Sequence, residues 1–520
     1  MVRRMAVSHA AADKAHSPNR TMVTVCAMVA TLMQALDNTI ANVALPYIQG
    51  SLSATADQIT WVLTSYVVAA AIFTAPVGWL AAYFGRKRLF ILCIIGFTVA
   101  SALCGAATSL SQIVVFRLLQ GTFGAALVPL SQATMLDLYS AEQRGSAMAI
   151  WGVGVMVGPI LGPTLGGYLT DAYDWRWVFL INVPFGILAA AGLTLFMQES
   201  PSRDGLKFDW IGFAVLSLGL GSLQLMLDRG EQQDWFHSTE IVAELVLACL
   251  GIYLFLVHLL TADKPFIPPR IFKDVNFSAG FLIMFAIGMI LLSSMALLPP
   301  YLQNLAGYSI TTTGLLMAPR GAGTMVAMLI AGRLTSRADP RLLMFGGIVM
   351  ICASMWRMVD WTPDVDAWSL GTTTFVQGLG LGFVFIPLQV VAFATLSPEL
   401  RGDATALFSL IRNVGSALGI SISSFLLAQG TQIMHARIAE TVTPFNRYLQ
   451  SGGAYLLWNT AAGPGKVALN AEVTRQASII AYANDFKFML FISMATALLL
   501  LLLRQAKRND NASPEQAVID

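Results

Sequence analysis

The chain has 520 residues, of which 56% are hydrophobic and 12% are charged. Soluble domains carry about 25% charged residues, so this composition excludes an ordinary soluble enzyme and indicates a membrane protein. A net charge of +2 gives no reason to expect a nucleic-acid partner. All five cysteines lie in apolar runs, which argues against a disulfide framework or a zinc site.

Long apolar runs predict an all-α polytopic membrane protein with fourteen spanning helices in the lipid bilayer. With the N-terminus inside, most lysines and arginines fall in cytoplasmic loops, so both termini are predicted to be cytoplasmic. The predicted spans are 22–45, 59–82, 89–107, 112–136, 146–170, 176–197, 208–228, 239–260, 276–302, 310–333, 341–361, 367–392, 402–428 and 484–504.

The chain repeats itself at a nearly constant offset. "PYIQ" at 46–49 recurs as "PYLQ" at 300–303, and "RG" at 144–145 recurs at 401–402. Two six-helix halves that repeat each other are typical of a rocking transporter with its substrate site between them. The predicted parts are a cytoplasmic tail at 1–21, an N-terminal half at 22–200, two inserted helices at 201–265, a C-terminal half at 266–504 and a tail at 505–520.

Span 1 carries an acid inside an apolar run. Asp37 is flanked at helical spacing by Gln34, Asn38 and Asn42, so one face of the helix is polar and should turn toward the protein interior or a water-filled cavity. Arg117 in span 4 lies at a compatible depth and is the predicted partner. We interpret the pair as a proton-coupling site, because intramembrane acids are usually functional. A static ion pair that fixes helix packing is the alternative.

Span 5 contains glycines four residues apart, with two prolines between them. They form a flat face that another helix can approach closely, and the prolines predict a bend. We interpret this segment as a hinge or sealing face, with static packing as the alternative. Its residues are Gly154, Gly158, Pro159, Gly162, Pro163, Gly166 and Gly167.

Two further arginines, Arg320 in span 10 and Arg412 in span 13, are predicted to lie near the middle of the membrane. With Asp37 and Arg117 they leave the interior net positive. One hypothesis is that the cavity suits neutral or weakly acidic lipophiles better than dications. The equal alternative is that both arginines bond helix-end carbonyls.

The outer segment 429–483 lies between the last two spans and is polar. It is either a plain periplasmic loop or a docking surface for another protein. No nucleotide-binding loop is found: "GPGKV" at 463–467 lacks the glycine spacing such a loop needs. We therefore expect no cofactor, and a gradient as the energy source.

Several motifs are similar to those of the major facilitator superfamily, and more narrowly to the fourteen-helix drug:proton antiporters of the EmrB/QacA type, closest to the EmrB-like branch. The similarity runs along nearly the whole chain. It rests on "LDNTIANVALP" (36–46), "RLLQGTFGAA" (117–126), "GVMVGPILGPTLGG" (154–167), "DWRWVFLINVPFG" (174–186) and "LDRG" (227–230).

The resemblance assigns roles to residues of these motifs. It implies that Asp37 is the acid of span 1, that Arg117 and Gln120 belong to the proton-coupling motif, and that the span 5 glycines form the antiporter motif. The conformational loop after span 2 reads "GWLAAYFGRK" and contributes Gly78, Gly85, Arg86 and Lys87. Ala82 stands where this loop usually has aspartate, so its usual charge latch is in doubt.

The resemblance further implies export of lipophilic toxic compounds, driven by the proton gradient, from the inner membrane of a Gram-negative cell. A periplasmic membrane-fusion adaptor and an outer-membrane channel would be the partners. Two alternatives stay open: a narrow exporter or importer of one metabolite, and a sensor or assembly subunit that transports nothing. Fold alone does not separate them.

Overall fold

The structure is a computed structural model that describes residues 19–140, 143–199, 205, 207–335, 337–443, 457–458 and 463–504. The predicted tails lie almost wholly outside these residues. The first ten helices are α1 Arg20–Ser51, α2 Ala56–Ile59, α3 Trp61–Thr74, α4 Val77–Phe84, α5 Arg86–Gly105, α6 Leu110–Gly124, α7 Leu127–Leu138, α8 Arg144–Ala172, α9 Trp177–Leu180 and α10 Asn182–Phe196.

The second part of the chain is also helical, and the described residues contain no strand. Short 3₁₀ or π turns connect or extend several helices. These helices are α11 Trp210–Arg229, α12 Thr239–Thr261, α13 Val275–Pro300, α14 Ile310–Leu334, α15 Pro340–Val359, α16 Ala367–Ala394, α17 Arg401–Thr441 and α18 Gly463–Leu499.

Thirteen of the helical segments are long and apolar enough to cross a membrane, and the bent pair α3–α4 makes a fourteenth. The pair is bent by 60° because Pro76 has no backbone N–H and its ring clashes with the preceding turn. Pro129 explains the break between α6 and α7 in the same way, since it excludes the carbonyl four residues before it. The predicted fourteen-span all-α fold is confirmed.

Helix packing repeats between the two halves. In the first half α1 packs against α8, α3 against α6, and α5 against α10; in the second half α13 packs against α17, α14 against α16, and α15 against α18. These are corresponding pairs of the two six-helix sets, so the sequence repeat is a structural repeat.

The inserted helices α11 and α12 pack on each other and reach both halves, because α11 contacts α3 and α17. Their crossing is close: a Cβ on Gly251 would lie 2.4 Å from the backbone nitrogen of Gly219. Only glycine at both positions allows this backbone approach.

The two halves meet on the side that the charge pattern places in the cytoplasm. Helix α8 packs along α14, where a Cβ on Gly145 would lie 2.6 Å from the carbonyl oxygen of Gly332. The buried side chains of Gln132 and Gln389 are also hydrogen-bonded across the interface between the two halves. The structure is therefore closed on its basic side.

The outer segment 429–483 is helical at both ends. Helix α17 continues to Thr441 and α18 starts at Gly463, so only the stretch between them is left for a connection. Residues 444–456 and 459–462 lie outside the described part. The two helix ends pack together, with His435 Nε2 3.0 Å from Asn470 Oδ1. Polarity suggested a loop here, but polar residues are equally compatible with helices that have left the membrane.

Candidate ion-pair site in the N-terminal half

The centre of the site is a fully buried carboxylate. Asp37 on α1 is 0% exposed, and both of its oxygens accept hydrogen bonds. Arg117 Nη1 on α6 donates to Oδ2 at 2.6 Å. Gln120 Nε2 donates to Oδ1 at 2.8 Å, and Asn182 Nδ2 on α10 donates to the same oxygen at 3.0 Å. Three helices thus converge on one acid, as depth counting predicted for Asp37 and Arg117.

Arg117 is held on every side. It is 1% exposed, its Nε donates to the carbonyl of Val62 at 3.0 Å, and its Nη1 also donates to Gln120 Oε1 at 2.9 Å. The Tyr66 ring lies 4.2 Å from its guanidinium carbon, a cation–π contact. The cation is therefore compensated by charge, hydrogen bonds and an aromatic face, as burial of an arginine requires.

Asn182 is a member of the site that sequence reasoning missed. It is 1% exposed, and besides Asp37 it donates to Ser101 Oγ on α5 at 3.0 Å. Ser101 in turn donates to the carbonyl of Phe179 at 2.8 Å. The only sequence signal was a single asparagine in the apolar run "WVFLINVPFG".

The hydrogen-bond donors around Asp37 indicate its protonation state. An ionised carboxylate is an acceptor only, so three donors around Asp37 match its charged form. A protonated Asp37 would present a donor toward Arg117 and lose the ion pair. The charged form of Asp37 therefore fits this arrangement better than the protonated form.

The other polar residues of span 1 do not join this network. Gln34 and Asn38 are half-buried, and Asn42 is exposed. Asn42 donates only to the carbonyl of Asn38, at 3.2 Å. Their predicted place in a substrate cavity stays a prediction, compatible with their accessibility.

The glycine face of α8 packs directly on α1. A Cβ on Gly158 would lie 2.6 Å from Ala35 Cβ, and one on Gly162 would lie 2.0 Å from Thr39 Oγ1. Gly154 faces Met28 and Gly166 faces Ile40, while Gly167 points to open space. The helix is continuous through positions 159 and 163; the predicted bend stays a prediction.

Comparison with known proteins identifies the family. The family model of the Major Facilitator Superfamily matches residues 27–420.

The chain belongs to the major facilitator superfamily.

It is 36% identical over 475 residues to the multidrug export protein EmrB of Escherichia coli K12, covering 90% of this chain and 92% of that protein. It is 34% identical over 460 residues to the fatty acid resistance protein FarB of Neisseria gonorrhoeae, covering 88% and 91%. The predicted family and its EmrB-like branch are confirmed.

The fold agrees with a solved structure of this superfamily type. The crystal structure of the human organic anion transporter MFSD10 (TETRAN) gives a TM-score of 0.58 at 15% sequence identity, covering 92% of this chain and 100% of that one. Identity this low supports the fold alone. As a superfamily member, the protein is a multi-span membrane transporter and not an enzyme.

The conformational loop of this transporter lies where its halves meet. A Cβ on Gly78 would lie 1.8 Å from Asp403 Oδ1 and 2.6 Å from Asp403 Cα, so only glycine fits there. Arg86 forms an ion pair with Asp137 at the end of α7. Arg401 Nη1 of the other half reaches the same carboxylate at 2.8 Å.

Carboxylates from other helices lie close to the loop that carries Ala82. The loop lacks its usual aspartate, yet Asp137 joins Arg86 to Arg401 across the interface. A second carboxylate, Asp403, sits in the first turn of α17, where the positive end of the helix dipole favours it. Two remaining loop residues have local roles: Gly85 adopts φ +85°, and Lys87 Nζ donates to the Thr194 carbonyl at 2.8 Å.

The two other buried arginines are not brought to the Asp37 site. Arg320 is 5% exposed, and its Nη2 donates at 2.9 Å to the carbonyl of Leu291, which lies within α13 and not at a helix end as the carbonyl alternative supposed. Its Nη1 has no hydrogen-bond partner among the described residues. Arg412 is half-buried on α17. One bond to a mid-helix carbonyl leaves Arg320 with unused donor capacity.

The C-terminal half lacks a copy of the ion pair. The repeat offset of 257 places Thr374 at the position of Arg117 and Gln377 at that of Gln120. Gln377 is buried, and its Nε2 lies 4.0 Å from the sulfur of Met355. The two halves share their packing but not this charge arrangement.

Proposed function

We propose that this protein exports lipophilic toxic compounds or drugs in exchange for protons across the inner membrane of a bacterium. The observation that carries the proposal is Asp37, a carboxylate with 0% exposure that accepts hydrogen bonds from three side chains on two neighbouring helices of the N-terminal half. The similarity to a multidrug export protein over 90% of the chain supports the choice of substrate class.

The proposed coupling step depends on the loss of the negative charge of Asp37 when it binds a proton. Asp37 in its charged form holds α1 against α6 and α10 through Arg117, Gln120 and Asn182. When it binds a proton, the attraction to Arg117 is lost and the bond pattern no longer fits. The buried charge of Arg117 then needs another partner, which favours a second arrangement of these helices. Drug release and proton binding would alternate in this way.

The proposed movement separates the two halves on the side that the charge pattern places in the cytoplasm. The two halves are joined by the contact of Arg401 with Asp137 and by the packing of α8 along α14. A cavity that accepts drug from the cytoplasm or inner leaflet requires these contacts to separate. Superfamily transporters rock their halves about a central site, and the repeated packing of the two halves is suited to that motion.

The proposed substrates are neutral or weakly acidic lipophiles. Arg320 keeps one unbonded nitrogen in the protein interior, which offers a donor to a carboxylate or phenolate. A relative named for fatty acid resistance is 34% identical, which supports an acidic lipophile among the substrates. The chain contains 23 methionines, whose flexible side chains suit a cavity that accepts varied shapes.

The proposed partners are a periplasmic membrane-fusion adaptor and an outer-membrane channel. Helix α17 has 41 residues, or roughly 60 Å at 1.5 Å per residue, about twice the hydrocarbon thickness. Together with α18 it forms a helical pair that would extend outside the membrane. This pair is the candidate surface for the adaptor.

The test uses everted membrane vesicles with an imposed proton gradient and a pH-sensitive dye. We expect candidate substrates to dissipate the gradient in the wild type, and Asp37→Asn to abolish the response. Because a lone Arg117 charge destabilises the fold, the double variant Asp37→Asn with Arg117→Gln is tested beside it. It should be expressed better and still not couple. Asp360→Asn, an exposed acid at the end of α15, is the matched control.

If Asp37→Asn responds like the wild type while the vesicles hold equal amounts of protein, Asp37 is structural and the coupling proposal is wrong. If substrate moves through the wild type without any proton flux, the facilitator alternative replaces antiport. If no compound moves under any gradient, the non-transporting alternative is favoured.

A further inference from the structure

A second buried acid lies in the C-terminal half. Asp485 on α18 is 1% exposed, and neither of its carboxylate oxygens has a hydrogen-bond partner among the described residues. The sequence placed it at the start of the last span, at 484. Because α18 begins at Gly463, Asp485 lies inside a continuous helix and not at its start.

Its surroundings are aromatic. On the same helix Tyr482 precedes it and Phe486 follows it. The ring of Tyr301 lies 5.3 Å from that of Tyr482 and 6.3 Å from that of Phe486, so it packs against the turn that carries Asp485. Trp361 completes the cluster at 6.0 Å from the Phe486 ring. The titratable side chains of this aromatic cluster are Tyr301 and Tyr482.

No cation compensates this acid among the described residues. Arg320 is bonded to Leu291, which precedes Tyr301 by ten residues, or about 15 Å of helix rise. Arg412 packs its backbone against Gly288, deeper still on the same scale. On its own helix the neighbouring Lys487 is exposed, as is Arg357 on α15.

A buried carboxylate without a donor or a cation is costly, and such a group neutralises by binding a proton. Asp37 and Asp485 are thus opposites in this conformation. Asp37 has three donors, one of them the cation of Arg117, which match the charged form. Asp485 has aromatic rings and no bonded donor, which match the neutral, protonated form.

We propose that Asp485 is a second proton-binding site of the transport cycle, carried by the C-terminal half. The inference rests on the proposed proton antiport and adds to it that each half contributes one acid. The acids are in opposite states in the structure, so that one is charged while the other holds a proton.

An outer groove lies near the acid, on the same face of α18. A cavity of about 410 Å³ lies between α17, α18 and the turn that follows α13; it is lined by Asn304 on that turn, by Ser478 and Tyr482 on α18, and by the acid Glu231. Ser478, Tyr482 and Asp485 are spaced four and three residues apart, so they follow one face of the helix. On the α17 side Ser424 and Thr431 add polar groups to the groove. Asp485 lies one turn below its floor.

The proposed step is a simple proton transfer. A proton from water in the outer groove binds one carboxylate oxygen of Asp485, which leaves hydroxide or, at steady state, a deficit of one proton outside. When the C-terminal half moves, the carboxyl meets water on the other side and releases the same proton there. No other bond is formed or broken, and no cofactor is required.

The first test is infrared difference spectroscopy of the purified full-length protein at neutral pH. We expect a protonated carboxyl stretch in the wild type that is missing in Asp485→Asn and unchanged in the control Asp360→Asn. Because asparagine is neutral and nearly isosteric, Asp485→Asn should fold and melt like the wild type. A wild-type spectrum without a protonated carboxyl band, or a band that persists in Asp485→Asn, would overturn the proposal.

The second test counts protons. Addition of a transported compound to the detergent-purified protein should release protons into a weakly buffered solution, and Asp485→Asn should lower the number of protons released per substrate. An unchanged number would refute the inference while leaving antiport through Asp37 intact. If the wild type transports the compound but neither releases nor moves protons, the proposed function itself fails. The two failures are therefore distinguishable.

Discussion

The contact of α8 with α1 makes a sharp prediction for Gly158→Ala. The new Cβ would lie 2.6 Å from Ala35 Cβ, 2.7 Å from the Ala35 carbonyl carbon and 2.8 Å from the backbone nitrogen of Leu36. Two of these neighbours are backbone atoms, so no side chain can rotate away. Ordinary contact begins at 3.4 Å, so the helices must separate locally by about 0.8 Å.

The cost of this separation follows from its location. Overpacking of a tight core costs about 1–3 kcal/mol. Asp37 follows Leu36 directly, and its ion pair with Arg117 is only 2.6 Å long. A displacement of about 0.8 Å is large for a charge-assisted hydrogen bond. We therefore expect the rate of proton-coupled efflux to fall by roughly tenfold or more, equivalent to about 1.4 kcal/mol.

The helix supplies its own control, Gly167→Ala. A Cβ there meets no atom within 4 Å. Both substitutions gain the same helix propensity of about 1 kcal/mol, which cancels in the comparison. Thermal unfolding in detergent and proton-coupled efflux in vesicles are measured for both. If Gly158→Ala equals Gly167→Ala in both assays, the tight α1–α8 contact is not what positions Asp37, and the reasoning is refuted.

Two further predictions concern the basic side and the second half. Asp137→Asn removes the ion pair with Arg401 that joins the halves, together with the Arg86 pair inside the N-terminal half; at about 0.5 kcal/mol for the partly exposed inter-half pair, the open population should rise about twofold. Spin labels at Arg88 and Arg337 in a cysteine-free background should report a longer distance, and an unchanged distribution would contradict the latch. Arg320→Met should lower efflux of weakly acidic compounds about tenfold and spare neutral dyes, because a charge-assisted bond worth about 1.5 kcal/mol is lost. Equal losses for both classes, compared in one vesicle assay, would assign Arg320 a purely structural role.

Sequence reasoning identified the centre of the site because charge in an apolar run is conspicuous. Asp37 and Arg117 each interrupt a span, and counting residues from the span ends placed them at one depth. Asn182 was missed because a single neutral amide in an apolar helix gives no comparable signal. Its role depends on the approach of α10 to α1, which only tertiary structure defines.

Two further features were not predicted from the sequence, the early start of α18 and the ion pair of Asp137 with Arg401. The polar segment 429–483 was interpreted as a loop or a docking surface, although α18 begins more than twenty residues before Asp485. Asp137 and Arg401 are separated by 264 positions, and no local pattern joins them. The sequence showed that Ala82 stands where aspartate is usual, but the carboxylates near this loop, Asp137 and Asp403, lie on two other helices.

The length of α17 has a mechanical consequence. The helix belongs to the C-terminal half at its base and continues without a break to Thr441, paired with the start of α18. A rigid rod fixed in a rocking body works as a lever, so a small rotation at the membrane becomes a larger sweep at its tip. A structure bound to that tip would be displaced in every transport cycle, and its resistance would oppose the rotation of the C-terminal half. The speed of this pump would then be set partly by the stiffness of the structure attached outside the membrane.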